Sequence, residues 1–134
     1  MILDRYPSPL RYPGGKGKVA NYIKLIFLEN ELIGHEYVEP YAGGASVALS
    51  LLYEDYSPHI HINDINLGVY CFWFSVLNRT DELCAKIDET PVTVEEWHRQ
   101  RTIYATATDY NEPISSSGRR AAGHSMIAMC RLGP

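Results

Sequence analysis

Hydrophobic positions change their spacing along the chain, and the order of those changes predicts an α/β protein. The first helical pattern starts near Lys18 and ends near Gly34. It predicts an amphipathic helix with one apolar face, formed by Val19, Tyr22, Ile23, Ile26 and Phe27. The three prolines in the first thirteen residues predict extended chain and turns before it.

Residues 37–66 predict a strand, a tight turn, a helix and a second strand in that order. An apolar run at Tyr37 and Val38 leads through Glu39 to the turn at residues 42–44. Residues 45–53 carry an apolar helical face, and alternation at residues 60–62 predicts the second strand, which ends at Asp64. Two strands separated by a helix favour a parallel sheet. Since two strands make a small sheet, we expect it to be incomplete.

The remainder of the chain predicts helices. Residues 66–78 are apolar almost all round, which predicts a buried helix whose aromatic residues pack in a core. Thr80 predicts the cap of a short helix ending near Asp88. Thr93 and Glu96 have the spacing of a capping box, which predicts another helix that fades over residues 106–111. From Arg119 onward no period is apparent.

Composition narrows the class of protein. The chain has 134 residues, 46% of them hydrophobic, so we expect a folded domain or part of one. No run of eighteen apolar residues and no signal-peptide pattern occurs, which favours a cytoplasmic protein without membrane partners. The three cysteines form no paired motif and are expected to be reduced.

Charge is unevenly distributed. The net charge is −4, yet residues 1–24 contain five basic residues and one acidic residue. A basic N-terminal segment on an acidic body suits a localised anionic ligand or one DNA-facing edge, and a solvated basic face explains it equally well.

Candidate binding chemistry centres on the turn at Gly43 and Gly44. Glycines allow a ligand to approach the backbone, and Asp64, twenty residues after Gly44, has the spacing of a carboxylate that accepts ribose hydroxyls. The strict G-x-G-x-x-G pattern is absent. Lys16 follows a glycine pair at a predicted helix start, where it could face an anionic group or solvent. Glu39 could face a ligand or simply end its strand.

Other kinds of site find little support. The five histidines lack the spacing of a metal site, although His59 and His61 share a strand face. Residues 115–117 are serines in a predicted loop without a histidine at useful spacing, so nucleophilic catalysis is not indicated.

Three ordered segments carry a family resemblance. LRYPGGKGKVANYI, YVEPYAGGASVALSLL and IHINDIN resemble the N-terminal portion of the Dam-like (D12-class) DNA adenine-N6 methyltransferases, over roughly residues 9–120. The resemblance implies the Rossmann-like sheet of S-adenosylmethionine-dependent methyltransferases, with a helical segment toward the C-terminus. It further implies a cofactor-binding part at residues 1–78, the start of a target-recognition region at 79–120 and an atypical tail at 121–134.

The resemblance also assigns site residues. It places Tyr12 and Lys16 at the cofactor, the glycine-turn segment around its methionine part, and Asp64 at its ribose. The glycine-turn residues so assigned are Glu39, Tyr41, Gly43 and Gly44. Tyr41 replaces the phenylalanine usual in the family, and Ala45 stands where glycine is frequent. Double-stranded DNA is the implied partner.

One departure from the family pattern is large. No D-P-P-Y or N-P-P-Y sequence occurs in these residues, and the F-L-N-R stretch expected after residue 122 is replaced by GHSMIAMCRLGP. The sequence therefore predicts no catalytic residue in this chain, and a truncated or frameshifted product that is inactive alone.

Two alternatives remain. The chain could be a non-catalytic assembly module that self-associates or pairs with a complementary C-terminal fragment, because an unfinished sheet exposes pairing edges. A nucleotide- or NAD-binding Rossmann domain would use Asp64 in the same way. Titration with S-adenosylhomocysteine and with NAD distinguishes these cofactors.

Overall fold

A computed structural model describes residues 8–12, 14–107 and 123–125, which form two compact units. The first contains the described residues up to Asp64 and the second those from Ile65 onward. In chain order the elements are a 3₁₀-helix Lys16–Val19, α1 Ala20–Glu29, β1 Tyr37–Glu39, α2 Ser46–Tyr53, β2 Ile60–Ile62, α3 Leu67–Asn78, α4 Thr80–Glu89 and α5 Val94–Ala107.

The first unit contains a small parallel sheet. β1 pairs with β2, with Tyr37 opposite Ile60 and Glu39 opposite Ile62, and α2 connects the strands. The predicted parallel pair is confirmed, and no further strand occurs among the described residues. The mixed helix–strand architecture is consistent with an incomplete α/β methyltransferase fold, while the Rossmann-like arrangement stays a prediction.

Helices α1 and α2 form the core of this unit with β1. Its buried cluster consists of Ala20, Phe27, Val47 and Leu51. The ring of Tyr37 from β1 packs against this cluster with its centroid 6.0 Å from that of Phe27. The sheet is therefore anchored to both helices on one face, and this fixes the end of β1 from which the glycine turn leaves.

The predicted apolar face of α1 is confirmed at Ile23 and Phe27 and wrong at its other three positions. Val19, Tyr22 and Ile26 are exposed, whereas Ala20, Lys24 and Phe27 are buried. Both stripes have helical spacing, so hydrophobicity alone could not choose between them. The buried face includes Lys24, whose stem is buried while its ammonium lies 2.5 Å from a Glu54 carboxylate oxygen.

Helix α1 also ends earlier than predicted, at Glu29 instead of near Gly34. Glu31 adopts the left-handed conformation (φ 56°), and the Leu32 N–H donates to the Phe27 carbonyl at 2.8 Å. This six-to-one bond closes the helix with a Schellman motif built without glycine.

The second unit is organised around α3. Asn66 caps this helix, since its side-chain oxygen accepts from the N–H groups of Gly68 at 2.9 Å and Val69 at 3.3 Å. The prediction of a buried helix is confirmed for most of its length: the buried residues are Gly68, Val69, Cys71, Phe72, Trp73 and Ser75. Tyr70 and Leu77 are exposed.

Helix α5 is tied to the start of α3. The Tyr104 hydroxyl donates to the same Asn66 oxygen at 2.9 Å. A Cβ on Gly68 would lie 2.2 Å from the Tyr104 ring, so only glycine permits this approach. Gln100 of α5 is buried and accepts from the buried Ser125 hydroxyl at 2.8 Å.

Of two predicted helix caps, the one at Thr93 is confirmed and the one at Thr80 is wrong. Thr80 is the first residue of α4, and its hydroxyl donates back to the Val76 carbonyl at 2.6 Å instead of capping. Thr93 does accept from the Glu96 N–H at 3.1 Å, as a capping box requires. The Glu96 carboxylate, however, accepts from Arg99 and Gln100, because these side chains lie on its own helix face.

Several predictions fall outside the described residues. These are the fading end of α5 at 108–111, the serine loop at 115–117, Cys130 and most of the aperiodic tail, of which Gly123–Ser125 are described as helical. Within the described part of the chain, no helix has the length and apolarity to span a membrane.

Candidate functional site

The turn after β1 is held to the end of β2 by backbone and carboxylate hydrogen bonds. The Asn63 carbonyl accepts from the Ala42 N–H at 2.9 Å, and Asp64 Oδ2 accepts from the Gly43 N–H at 2.8 Å. Gly43 has φ of +49°, a conformation that L side chains rarely adopt. The carboxylate predicted to serve a ribose therefore also fixes the glycine turn.

The N-terminal segment packs directly on this turn. A Cβ on Gly43 would lie 2.9 Å from the Tyr12 ring, and one on Gly44 would lie 2.7 Å from the Leu10 carbonyl oxygen. The two glycines thus admit the protein's own chain on one side. This places the Tyr12 ring beside the turn, and its contact with a cofactor stays a prediction.

Glu39 is buried and connects β1 to α2. Its side chain is 2% exposed, and Oε2 accepts from the Ala48 N–H in the first turn of α2 at 2.9 Å. The N-cap residue of α2, Ala45, offers no capping side chain, so this distant carboxylate satisfies one of the helix's open donors. Burial, followed by the charge of Glu39, raises the pKa of Tyr37 on the same strand.

Lys16 reaches Glu39 from the 3₁₀-helix. Its Nζ lies 2.9 Å from Glu39 Oε1 and donates to the Tyr41 carbonyl. The Lys16 side chain is 40% exposed, and the half-buried cation keeps the buried carboxylate compensated. The sequence could not indicate this ion pair, because the two residues are 23 positions apart.

Ala45 adopts the left-handed conformation, with φ of +50°. This is the position at which the resemblance expects glycine. An L residue in this region costs about 1–2 kcal/mol, so the departure from the family pattern has a physical cost in backbone strain. The bond from the Ala45 N–H to the Ala42 carbonyl, at 2.6 Å, holds the residue there.

An open cleft of about 240 Å³ lies over the glycine turn. Six of the seven residues predicted to bind the cofactor line it: Tyr12, Lys16, Tyr41, Gly43, Gly44 and Asp64. Glu39 does not line the cleft and acts on it through Lys16. Tyr41 is 75% exposed at this surface.

Five lining residues were not among the predicted site residues: Gly14, Gly15, Ala42, Ala45 and Ser46. The glycine pair before Lys16 was a usable signal, since Gly14 has φ of +77° and the Gly15 N–H closes a turn on the Tyr12 carbonyl at 3.2 Å. The small residues after β1 carry no distinctive chemistry in sequence.

Metal binding finds no support in the described residues, where no group of three potential ligands converges. His61 instead lies 3.1 Å from a Glu36 carboxylate oxygen. Of the cysteines in the described ranges, Cys71 is buried and Cys84 is exposed, and neither forms a disulfide.

Comparison with known families matches residues 12–131 to the D12 class N6 adenine-specific DNA methyltransferase model. The chain belongs to this family. The match covers the cleft, the sheet and the described helices of the second unit. No curated protein and no solved structure gave a significant match.

The cleft residues are chemically suited to S-adenosylmethionine, the cofactor that methyltransferases of this kind generally use. Asp64 and the backbone of Gly43 and Gly44 line the cleft, and a carboxylate at the end of a strand is the kind of group that accepts ribose hydroxyls in nucleoside sites. Lys16 and Glu39 add a cation and a buried carboxylate, the two kinds of charge that complement a zwitterionic amino-acid group. S-adenosylmethionine bound there would supply an electrophilic methyl group.

Proposed function

We propose that this chain binds S-adenosylmethionine in the cleft over the glycine turn, as the cofactor side of a DNA adenine-N6 methyltransferase. The supporting observation is that six residues assigned by resemblance, drawn from three separate sequence segments, line one cleft. They belong to the N-terminal segment, the turn after β1 and the end of β2. Such convergence is what a nucleoside-binding site at the carboxyl ends of parallel strands requires.

The proposed roles follow from position. Tyr12 packs beside the turn and offers a ring face, Asp64 accepts from ribose hydroxyls, and the backbone at Gly43 and Gly44 lies against the ligand. Lys16 and the carbonyl of Tyr41 contact the amino-acid end. In the complete reaction the target adenine is taken out of the DNA stack, and the enzyme contributes chiefly by positioning the amine for in-line transfer.

Calorimetric titration with S-adenosylhomocysteine tests cofactor binding. We expect wild-type protein to bind it, and Asp64→Asn to bind at least about tenfold more weakly, since a charge-assisted bond to a ligand contributes roughly 1.5–3 kcal/mol. Asparagine keeps an acceptor for the Gly43 N–H, so the turn is retained. Asp88→Asn is the matched control, because this exposed residue of α4 is not among the cleft-lining residues.

NAD is the competing ligand. Binding of NAD with no response to S-adenosylhomocysteine would overturn the proposal in favour of a dinucleotide-binding domain. If Asp64→Asn and wild type bound S-adenosylhomocysteine with equal affinity, Asp64 would not be the residue that binds the ribose.

Methyl transfer by this chain alone is a separate question. Its residues include no D-P-P-Y sequence, the segment that the resemblance assigns to the adenine amine. We therefore expect cofactor binding without incorporation of labelled methyl groups into DNA. Labelled N6-methyladenine formed by this chain would contradict that expectation.

A second candidate, an assembly module, is favoured by the bare outer face of the sheet. Val38 is 62% exposed beside its partner His61 in a sheet of only two described strands. Sedimentation should then show a dimer, or a complex with a complementary fragment. A monomer that melts in one sharp transition would count against this function.

A further inference from the structure

The Lys16 ammonium is held by two acceptors of the protein itself, the Glu39 carboxylate and the Tyr41 carbonyl, which together are called the receptor below. Its Nζ lies 2.9 Å from Glu39 Oε1 and donates to the Tyr41 carbonyl, so a carboxylate and a carbonyl hold one cation at the cleft. These are the two acceptor types that a primary ammonium group prefers. The α-ammonium of an amino-acid ligand would need the same acceptors.

The acceptor side of this receptor is fixed. Glu39 is 2% exposed, its strand is paired with β2, and its second oxygen is held by the Ala48 N–H. Oε1 is buried and has no hydrogen bond of good geometry, because Lys16 faces it as an ion pair only. This oxygen therefore keeps capacity for a better-aligned donor.

The cation side can move. Lys16 lines the cleft with a 40% exposed side chain, and it is carried by a short 3₁₀-helix with no buried residue. A lysine stem has four rotatable carbon–carbon torsions, so its ammonium can leave Glu39 without backbone change. If Lys16 left and nothing replaced it, the buried Glu39 carboxylate would be uncompensated. A second cation must therefore bind Glu39 as the Lys16 ammonium leaves.

We propose that Lys16 is an internal occupant of an ammonium subsite, which it yields to the α-ammonium group of the cofactor's amino-acid end. The displaced Nζ then pairs with the α-carboxylate of the same ligand. No proton is transferred, and the Glu39 carboxylate faces one cation before and after the exchange. The inference rests on the proposed function, since it concerns how the cofactor enters the same cleft.

Exchange makes a specific demand on ligand structure. A ligand with an ammonium but no carboxylate displaces Lys16 and offers the displaced Lys16 ammonium no anionic partner. Its affinity is reduced by the fraction of protein in which the receptor is occupied by Lys16. A ligand with both groups recovers that loss through the carboxylate, and a nucleoside with neither is indifferent to Lys16.

Three adenosine thioethers separate these cases in calorimetric titrations. S-adenosylhomocysteine carries both groups, its decarboxylated analogue carries the ammonium alone, and 5′-methylthioadenosine carries neither. For Lys16→Met we expect the decarboxylated analogue to bind at least about threefold tighter, because the competitor is gone. S-adenosylhomocysteine should bind at least about threefold more weakly, because its carboxylate loses a cation. 5′-Methylthioadenosine should be unchanged.

A second variant guards against loss of folding in Lys16→Met. Lys16→Arg keeps the charge and can hold Glu39 with a forked pair of donors, so it should weaken binding of the decarboxylated analogue. Lys18→Met is the matched control: this exposed lysine lies on the same 3₁₀-helix and does not line the cleft. It should leave all three affinities unchanged.

The outcomes separate this inference from the proposed function. If wild-type protein binds none of the three thioethers, the proposed function itself fails. If it binds S-adenosylhomocysteine but Lys16→Met weakens both ammonium ligands, or leaves both unchanged, Lys16 is not a competitor and the exchange is refuted. Tighter binding of the decarboxylated analogue to Lys16→Arg would refute it as well.

Discussion

Replacement of Gly44 by alanine tests the packing of the N-terminal segment on the glycine turn. The new Cβ would lie 2.7 Å from the Leu10 carbonyl oxygen, 0.7 Å inside the 3.4 Å at which ordinary contacts begin, and 3.2 Å from the Ser8 hydroxyl. Leu10 is 2% exposed, and its N–H is held by the Ser8 hydroxyl at 3.1 Å. The segment therefore cannot yield without losing buried surface.

The expected magnitude follows from two opposing effects. Overpacking against backbone costs about 1–3 kcal/mol. Alanine restricts the unfolded chain more than glycine does, which returns about 0.4–1 kcal/mol. We expect Gly44→Ala to lower the free energy of unfolding by about 1–2 kcal/mol. Urea denaturation followed by circular dichroism measures this as a lower midpoint with an unchanged slope.

Gly15→Ala is the matched control within the same cleft. Its Cβ would lie 3.4 Å from the Tyr12 carbonyl oxygen, an ordinary contact, and Gly15 has φ of −53°. We expect Gly15→Ala to be as stable as wild type or up to about 1 kcal/mol more stable, since no strain or clash opposes the entropic gain. If Gly44→Ala and Gly15→Ala had equal stabilities, Leu10 would not lie against the glycine turn as described.

Two further predictions concern stability. Tyr104→Phe removes the hydroxyl that lies 2.9 Å from the Asn66 side-chain oxygen and should cost about 0.5–1.5 kcal/mol in urea unfolding; no loss would mean that this bond does not tie α5 to α3. A hydrogen bond from Lys24 lowers the pKa of Glu54 below its usual 4.5. The ion pair therefore stabilises the folded protein above pH 4.5, and this stabilisation is lost as the pH falls through the lower folded-state pKa. The stability difference between wild type and Glu54→Gln should therefore be constant at pH 6–8 and shrink below about pH 4.5, and a difference that grew on acidification would contradict this assignment.

Some features of the cleft could be predicted from the sequence and others could not. The spacing of Asp64 from Gly44 predicted a carboxylate that accepts ribose hydroxyls, which stays a prediction. The structure does place Asp64 at the glycine turn, where its Oδ2 accepts from the Gly43 N–H. This was predictable because a parallel β-α-β unit brings the ends of its strands to one edge. The role of Glu39 was left open, and it joins Lys16 through an ion pair that depends on the 3₁₀-helix packing near α2.

Helix faces show the limit of the same approach. In α1 two neighbouring stripes both met the helical period, and the structure buries the one that contains Ala20 and Lys24. The Lys24 ammonium contacts Glu54 there and lies 5.9 Å from the centroid of the Tyr56 ring. Thr80 and Glu96 have the residue types of caps but form other bonds. Each of these two side chains could also bond to a group about one helical turn away, and the structure shows that bond instead of the cap.

The sequence by itself determined the order of elements, the parallel pairing of β1 with β2, and the family. These depend on hydrophobic period and on ordered motifs, which are local properties of the chain. Tertiary structure decided which stripe of α1 is buried, why Gly44 must lack a side chain, and which cation faces Glu39. Each of those depends on groups far apart in sequence, whose distances are set only when the helices pack on the sheet.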